Sequence, residues 1–157
     1  MPDAPAPPAA GPPPKLSDFL CFAVYSANLA FGRAYKPLLD PLGLTYTQYI
    51  ALVALSDADE LTVGALGERL YLESNTLTPI LKKLEHLGYL RRRRDPADER
   101  QVRLSLTPEG RKLVALDPGA ALLEPLNLGD DFAQVRQTVA RVRDNLLSAG
   151  QGAPAGR

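Results

Sequence analysis

Apolar residues recur along this chain with two different periods, and the change of period outlines a fold. Leu16, Leu20, Val24 and Leu29 mark a first helix from about Ser17 to Tyr35, with Pro37 and Pro41 limiting its regular continuation. A second helix, Tyr46 to Leu55, opens on the capping-box pair Thr45 and Gln48. Thr62 caps a short third helix reaching about Leu70. The fourth begins near Ser74 and ends at Gly88, a C′ glycine, with Leu77, Leu81 and Leu84 facing the core. Pro79 removes one of its hydrogen bonds and is tolerable only close to the first turn. The period then drops to two: Val102, Leu104 and Leu106 alternate after a Pro96–Glu99 turn, giving a two-stranded hairpin with the arginine run before it. Thr107 and Pro108 restart a helix as N-cap and N1. A last amphipathic helix, Asp131 to Leu147, carries Phe132, Val135, Val139, Val142 and Leu146 on one stripe.

Six helices and a hairpin make the chain mainly α. A helix rich in Ser, Asn and Thr followed by an arginine-rich hairpin is the layout of a winged helix-turn-helix with a two-stranded β wing. Residues 1–14 hold seven prolines and almost no large apolar side chain, so they are expected to be disordered, as are the loose residues 149–157. The domain is expected to span 15–148, with the winged module at about 45–107. The flanking helices, about 17–40 and 108–147, carry more apolar surface than one copy can bury, which suggests N- and C-terminal dimerisation helices and a homodimer.

Charge narrows the partner. The net charge is zero, yet residues 91–103 hold six arginines against three acids. A basic patch on a neutral body suits contact with phosphates through one face, although a dense charge run can also be a plain solvated face. On the fourth helix, Ser74, Asn75, Thr76 and Thr78 are the candidate base readers, since Asn can bond adenine bidentately and Thr can touch a thymine methyl. Ser74 and Asn75 could instead merely cap that helix. Lys82 and Lys83 are placed for phosphates, as is Arg94 on the hairpin. Arg100, beside the turn, is sited to enter a narrow minor groove, with Asp98 orienting it through a carboxylate–guanidinium pair. Double-stranded DNA is therefore the first partner to consider.

One cysteine, Cys21, and one histidine, His86, exclude a Cys/His zinc cluster and an intrachain disulfide. No metal or cofactor is expected, and the cysteine usage is compatible with a reducing cytosol. No apolar run approaches a membrane span, and the N-terminus lacks the pattern of a secretion signal. Cys21 and Tyr25 stand four apart on one helix face, about 6 Å along the axis. Tyr35 returns to nearly the same face about 21 Å farther on, out of reach of its own Cys21 but within reach of a partner's if two first helices cross. Tyr46 opens the next helix as a third phenol. Phenol hydroxyls can stabilise a thiolate by hydrogen bonding, but a cysteine in an apolar helix is more often inert filler.

The segments LCFAVYSANLAFGRAYKPLLDPLGLTYTQY, LGERLYLESNTLTPILKKLE and RRRRDPADERQVRLSLTPEG resemble the MarR family of transcription regulators, and more narrowly its organic-hydroperoxide-sensing branch. The resemblance covers about residues 15–115. It implies a cytoplasmic homodimeric repressor binding a palindromic operator, with Cys21 as the peroxide-reactive residue and Tyr25, Tyr35 and Tyr46 at the phenol positions around it. It also implies Ser74, Asn75, Thr76 and Thr78 on the recognition helix and Arg100 on the wing. Some relatives carry a second cysteine that resolves the first; this chain has none. Oxidised Cys21 would then persist, be capped by a low-molecular-weight thiol, or over-oxidise. The alternatives are release by a noncovalent phenolic ligand with Cys21 structural, a thiol peroxidase, and a DNA-free interaction module. The peroxidase needs a cation or a helix N-terminus at the sulfur, and no Arg, Lys or His stands near Cys21 in sequence.

Overall fold

The computed structural model describes residues 13–58 and 60–151. Most of the sequence's prolyl tail and residues 152–157 lie outside the described residues. The chain divides into two compact units, one up to Asp117 and one from Pro118.

The first unit opens with a 3-10 turn, Leu16–Asp18, and α1, Leu20–Leu39. The helix thus starts later than Ser17, because Phe19 is extended (φ −90°, ψ 112°) and breaks the turn. It also runs on through Pro37, which costs only the bond to the carbonyl four residues back, and ends where Pro41 enters a second 3-10 turn, Asp40–Leu42. Helix α2, Tyr46–Asp57, has the reciprocal cap expected of Thr45 and Gln48, with bonds of 3.3 and 2.9 Å. Strand β1, Leu61–Thr62, and α3, Val63–Leu70, follow, the Thr62 hydroxyl accepting the Ala65 N–H at 3.1 Å. The turn out of α3 is tight: a Cβ on Gly67 would stand 2.6 Å from the Leu72 carbonyl oxygen.

Helix α4, Ser74–His86, leads through Gly88 (φ 79°) into β2, Leu90–Arg94, then β3, Val102–Leu106, and α5, Pro108–Ala115. Pro79 is the sixth residue of α4, deeper than the first turn. It is exposed, so the carbonyl it leaves without an amide partner is on the solvent side of the helix. The sheet has three antiparallel strands in the order β1-β3-β2, so the expected hairpin gains a third, two-residue strand that pairs Leu61 with Leu104 and Thr62 with Arg103. Leu77, Leu81 and Leu84 are buried as expected, packed with Leu52, Leu55, Leu66, Leu90 and Leu104 in one core. This core fixes the angle of α4 and the hairpin root, and so positions the faces described below.

The second unit comprises a 3-10 turn, Pro118–Leu122, the one-turn helix α6, Leu123–Leu126, another 3-10 turn, Gly129–Asp131, and α7, Phe132–Gln151. Helix α7 continues past Leu147, so residues 149–151 are helical where a loose tail was expected. Among the described residues no single helix is long and apolar enough to cross a membrane.

Candidate functional site

Burying three leucines turns the opposite side of α4 outward. Ser74, Asn75, Thr76, Thr78, Lys82 and Lys83 are all exposed there. The N-cap is Glu73, and its side chain makes no cap bond, so Ser74 and Asn75 lie inside the first turn and are not the cap. Their side chains remain open to a ligand in front of the helix start, where free amides favour an anion. Asn75 Oδ1 accepts the Thr76 hydroxyl at 3.3 Å. Thr78 differs: its hydroxyl donates to the Ser74 carbonyl at 2.8 Å, which leaves its methyl and lone pairs for recognition.

The hairpin sorts its arginines by alternation. Arg92 donates its Nε–H to Glu85 Oε2 at 2.7 Å, and its backbone N–H to Glu85 Oε1 at 3.2 Å. Arg103 Nε–H donates to Asp95 Oδ2 at 2.7 Å, and its terminal nitrogen to the Glu60 carbonyl at 3.3 Å. Arg91, Arg93, Arg94 and Arg100 are exposed, and none of them enters an ion pair among the described residues. A polar cleft of about 390 Å³ is lined by two of them, Arg93 and Arg94, together with Glu60, Asp95 and Arg103.

At the tip, Asp98 accepts the backbone N–H of Arg100 at 3.1 Å and the Gln101 amide at 3.2 Å. It therefore shapes the turn under Arg100 and does not pair with its guanidinium. The carboxylate–guanidinium pair of this hairpin is Asp95–Arg103, which the sequence reading missed. Asp95 is buried, and the Ala97 N–H (2.9 Å), followed by Arg103, holds its carboxyl below the ordinary aspartate range. A lowered folded value means stability that is whole above about pH 4 and disappears as pH falls through the folded value. The unfolding midpoint of wild type should exceed that of Asp95→Asn at pH 6, and the gap should narrow as pH falls below about 4. A gap independent of pH would remove the charge from this account.

The thiol and the phenols divide into two pairs. Cys21 is exposed and free, and it is the second residue of α1. The later start of α1 thus sets its sulfur in a helix's first turn, where the helix dipole is positive. Tyr25, also exposed, lies one turn on, its ring 6.4 Å from that of Phe22. Tyr35 sits near the other end of α1, its ring 4.7 Å from Tyr46 and 6.0 Å from Tyr49, a buried tyrosine not anticipated as a neighbour. Fourteen residues of unbroken helix separate Cys21 from Tyr35, about 21 Å. Burial raises the Tyr35 phenol above its ordinary value, with Tyr46 and Asp117 adding to it, and burial likewise raises Tyr46. Both phenols therefore keep their protons, as hydrogen-bond donors, throughout the neutral range.

Around these groups α1 is poorly covered. Of its twenty residues only Leu39 is buried, while Leu20, Phe22, Val24, Tyr25, Leu29 and Phe31 are exposed. In the second unit, α7 separately exposes Phe132, Val135, Val139, Leu146 and Leu147.

Comparison with known proteins agrees with this architecture. The family model described as transcriptional regulator SarA/Rot matches residues 33–115. The organic hydroperoxide resistance transcriptional regulator of Bacillus subtilis is 42% identical over 135 residues, covering 84% of this chain and 92% of that protein. The regulator SarZ of Staphylococcus epidermidis is 40% identical over 121 residues, 76% of this chain and 82% of its own. Among solved structures, reduced AbfR bound to DNA superposes with a TM-score of 0.70 at 32% identity, over 84% of this chain and 96% of that one.

Proposed function

Because the chain belongs to the MarR/SarA family of winged-helix transcriptional regulators, on its organic-hydroperoxide branch, we propose that it is a homodimeric DNA-binding repressor switched by oxidation of Cys21. The observation that carries the reading is the division of the thiol site. Cys21 and Tyr25 lie at one end of α1, Tyr35 and Tyr46 at the other, and the helix between them exposes its apolar side chains. Two such helices crossing antiparallel would cover that surface and bring each thiol to the partner's phenols. Helix α7 offers a second apolar stripe to the same dimer.

In the reduced dimer, two copies of α4 present Ser74, Asn75, Thr76 and Thr78 to successive major grooves of a palindromic operator. Lys82, Lys83 and Arg94 meet phosphates, and Arg100 enters the flanking minor groove. An organic hydroperoxide gives its terminal oxygen to the Cys21 sulfur, forming a sulfenic acid and releasing the alcohol. The donors Tyr35 and Tyr46 of the partner steady the thiolate and the leaving oxygen. A larger, more polar sulfur group in a packed interface shifts the two α1 helices, and the two reading heads lose register. With no second cysteine in the sequence, a low-molecular-weight thiol is the route back to the reduced state.

The test is duplex binding to the chain's own upstream DNA, with and without one equivalent of organic hydroperoxide, for wild type and Cys21→Ser. Wild-type affinity should fall by about 5- to 150-fold, the usual range of a coupling free energy, and the variant should not respond. Equal release of both proteins would take Cys21 out of the switch and move the signal elsewhere. Consumption of many equivalents of hydroperoxide per thiol would replace the switch with a peroxidase.

A further inference from the structure

We infer that Glu85 is a positioning residue that locks the recognition helix to the wing, so that α4 and the hairpin read DNA as one rigid head; this rests on the DNA-binding reading above. Glu85 occupies the last turn of α4, where a carboxylate faces the negative end of the helix dipole and is unfavourable unless a cation answers it. Arg92 answers it twice. Its guanidinium Nε–H meets one carboxylate oxygen at 2.7 Å and its backbone N–H meets the other at 3.2 Å.

The second contact gives the pair its direction. Strand β2 is the edge of the sheet, paired only with β3. The Arg92 N–H points off that edge, toward α4, and a single carboxylate therefore grips both the strand's backbone and its side chain. A side-chain pair alone would tolerate sliding of the strand, whereas a backbone donor fixes the height of the strand against the helix. The pair is half-exposed, so its charge adds little to global stability, but its geometry is bidentate. Beyond it the hairpin is held again through Asp95, Arg103 and the Glu60 carbonyl, which ties β3 to the residues before β1. With the root held by Glu85 and the tip by Asp95, Arg100 is carried at a set distance from Ser74 and Asn75.

Simple electrostatics and positioning predict opposite signs for Glu85→Ala. Removing a carboxylate from a DNA-facing surface adds one net positive charge and should tighten binding to every duplex. Loss of the lock should instead weaken binding to the preferred sequence while leaving unrelated DNA as tight or tighter. The experiment uses the full-length protein and a duplex that wild type selects from a randomised pool, against an unrelated duplex of equal length. We expect the ratio of the two affinities to fall about tenfold in Glu85→Ala, with the flanking minor-groove footprint lost first. Glu85→Gln keeps an acceptor for the Arg92 N–H and should recover part of the ratio. In the DNA-free protein, amide exchange at Arg92 and along β2 should accelerate in Glu85→Ala while α2 stays protected.

A ratio unchanged from wild type, or both affinities rising together, would overturn the inference. If wild type binds no duplex at all, the DNA-binding reading fails, and the exchange measurement alone decides whether Glu85 holds the strand: acceleration upholds the lock, unchanged exchange removes it.

Discussion

A heterodimer of one Cys21→Ser protomer and one Tyr35→Phe/Tyr46→Phe protomer will oxidise its single remaining thiol at the wild-type rate, whereas the phenol variant as a homodimer will oxidise about 10- to 100-fold more slowly. The size follows from the donors removed: a hydrogen bond to a charged group contributes about 1.5–3 kcal/mol. If that is realised in the transition state, each 1.4 kcal/mol or so is worth about tenfold in rate. The asymmetry follows from α1. Its twenty residues run unbroken from Leu20 to Leu39, so a chain cannot fold its own Tyr35 onto its own Cys21. In the mixed dimer the only thiol belongs to the protomer that lacks the phenols, and the partner supplies both. An arrangement within one chain predicts the reverse, a slow thiol in the mixed dimer. Rates measured on tagged heterodimers, with the sulfenic acid trapped, distinguish the two. A phenol-variant homodimer as fast as wild type would mean that Tyr35 and Tyr46 do not act on the sulfur.

The paired Tyr35 and Tyr46 rings also sharpen the expected pH behaviour of that site. Both phenols titrate above their ordinary value, for Tyr35 because of burial first and the neighbouring Tyr46 and Asp117 next. Neither loses its proton between pH 6 and 9, so the phenols contribute no inflection to the oxidation rate over that range; an inflection there that disappears in Tyr35→Phe/Tyr46→Phe would overturn this.

What the sequence disclosed was local or periodic. Thr45, Thr62 and Thr107 each bond an amide three residues on, and such caps are written in adjacent letters. Leu77, Leu81 and Leu84 recur at helical spacing and are the buried face of α4. What stayed hidden depends on partners far away in the chain or on a single backbone angle. Strand β1 has two residues, too few to display a period, and exists because Leu104 and Arg103 lie alongside, some forty positions later. The extended Phe19 that delays α1 and brings Cys21 into its first turn has no sequence mark. Among six arginines, nothing in the letters separates Arg92 and Arg103, which are held by Glu85 and Asp95, from the four that enter no ion pair among the described residues. Asp98 looked like the orienting acid because it is two residues from Arg100, yet at that spacing the backbone N–H is the nearer donor.

Gly110→Ala will destabilise the protein by about 3 kcal/mol or more, the upper end of what overpacking costs, although the site lies in a helix where alanine is intrinsically the better residue. In the motif Thr107-Pro108-Glu109-Gly110 the first two residues are explained by capping: the buried Thr107 hydroxyl donates to the Gly88 carbonyl at 2.7 Å and accepts the Gly110 N–H at 3.1 Å. The glycine answers a different demand. A Cβ at position 110 would stand 2.1 Å from the Tyr89 carbonyl oxygen and 3.1 Å from its carbon. Those are backbone atoms at the root of β2, and the same carbonyl accepts the Thr107 N–H at 3.1 Å. The strand cannot yield without breaking the cap, and α5 cannot rise without unburying Leu113. The control is Gly64→Ala in α3, where the nearest atom to the new methyl is the Thr62 hydroxyl at 4.0 Å. It should be neutral or stabilising by up to about 1 kcal/mol. Thermal unfolding at one fixed protein concentration would compare them, with Gly110→Ala expected to lose roughly ten degrees. A midpoint within two degrees of wild type would mean that α5 can move off β2 freely, and that this glycine is a matter of helix ends and not of close approach.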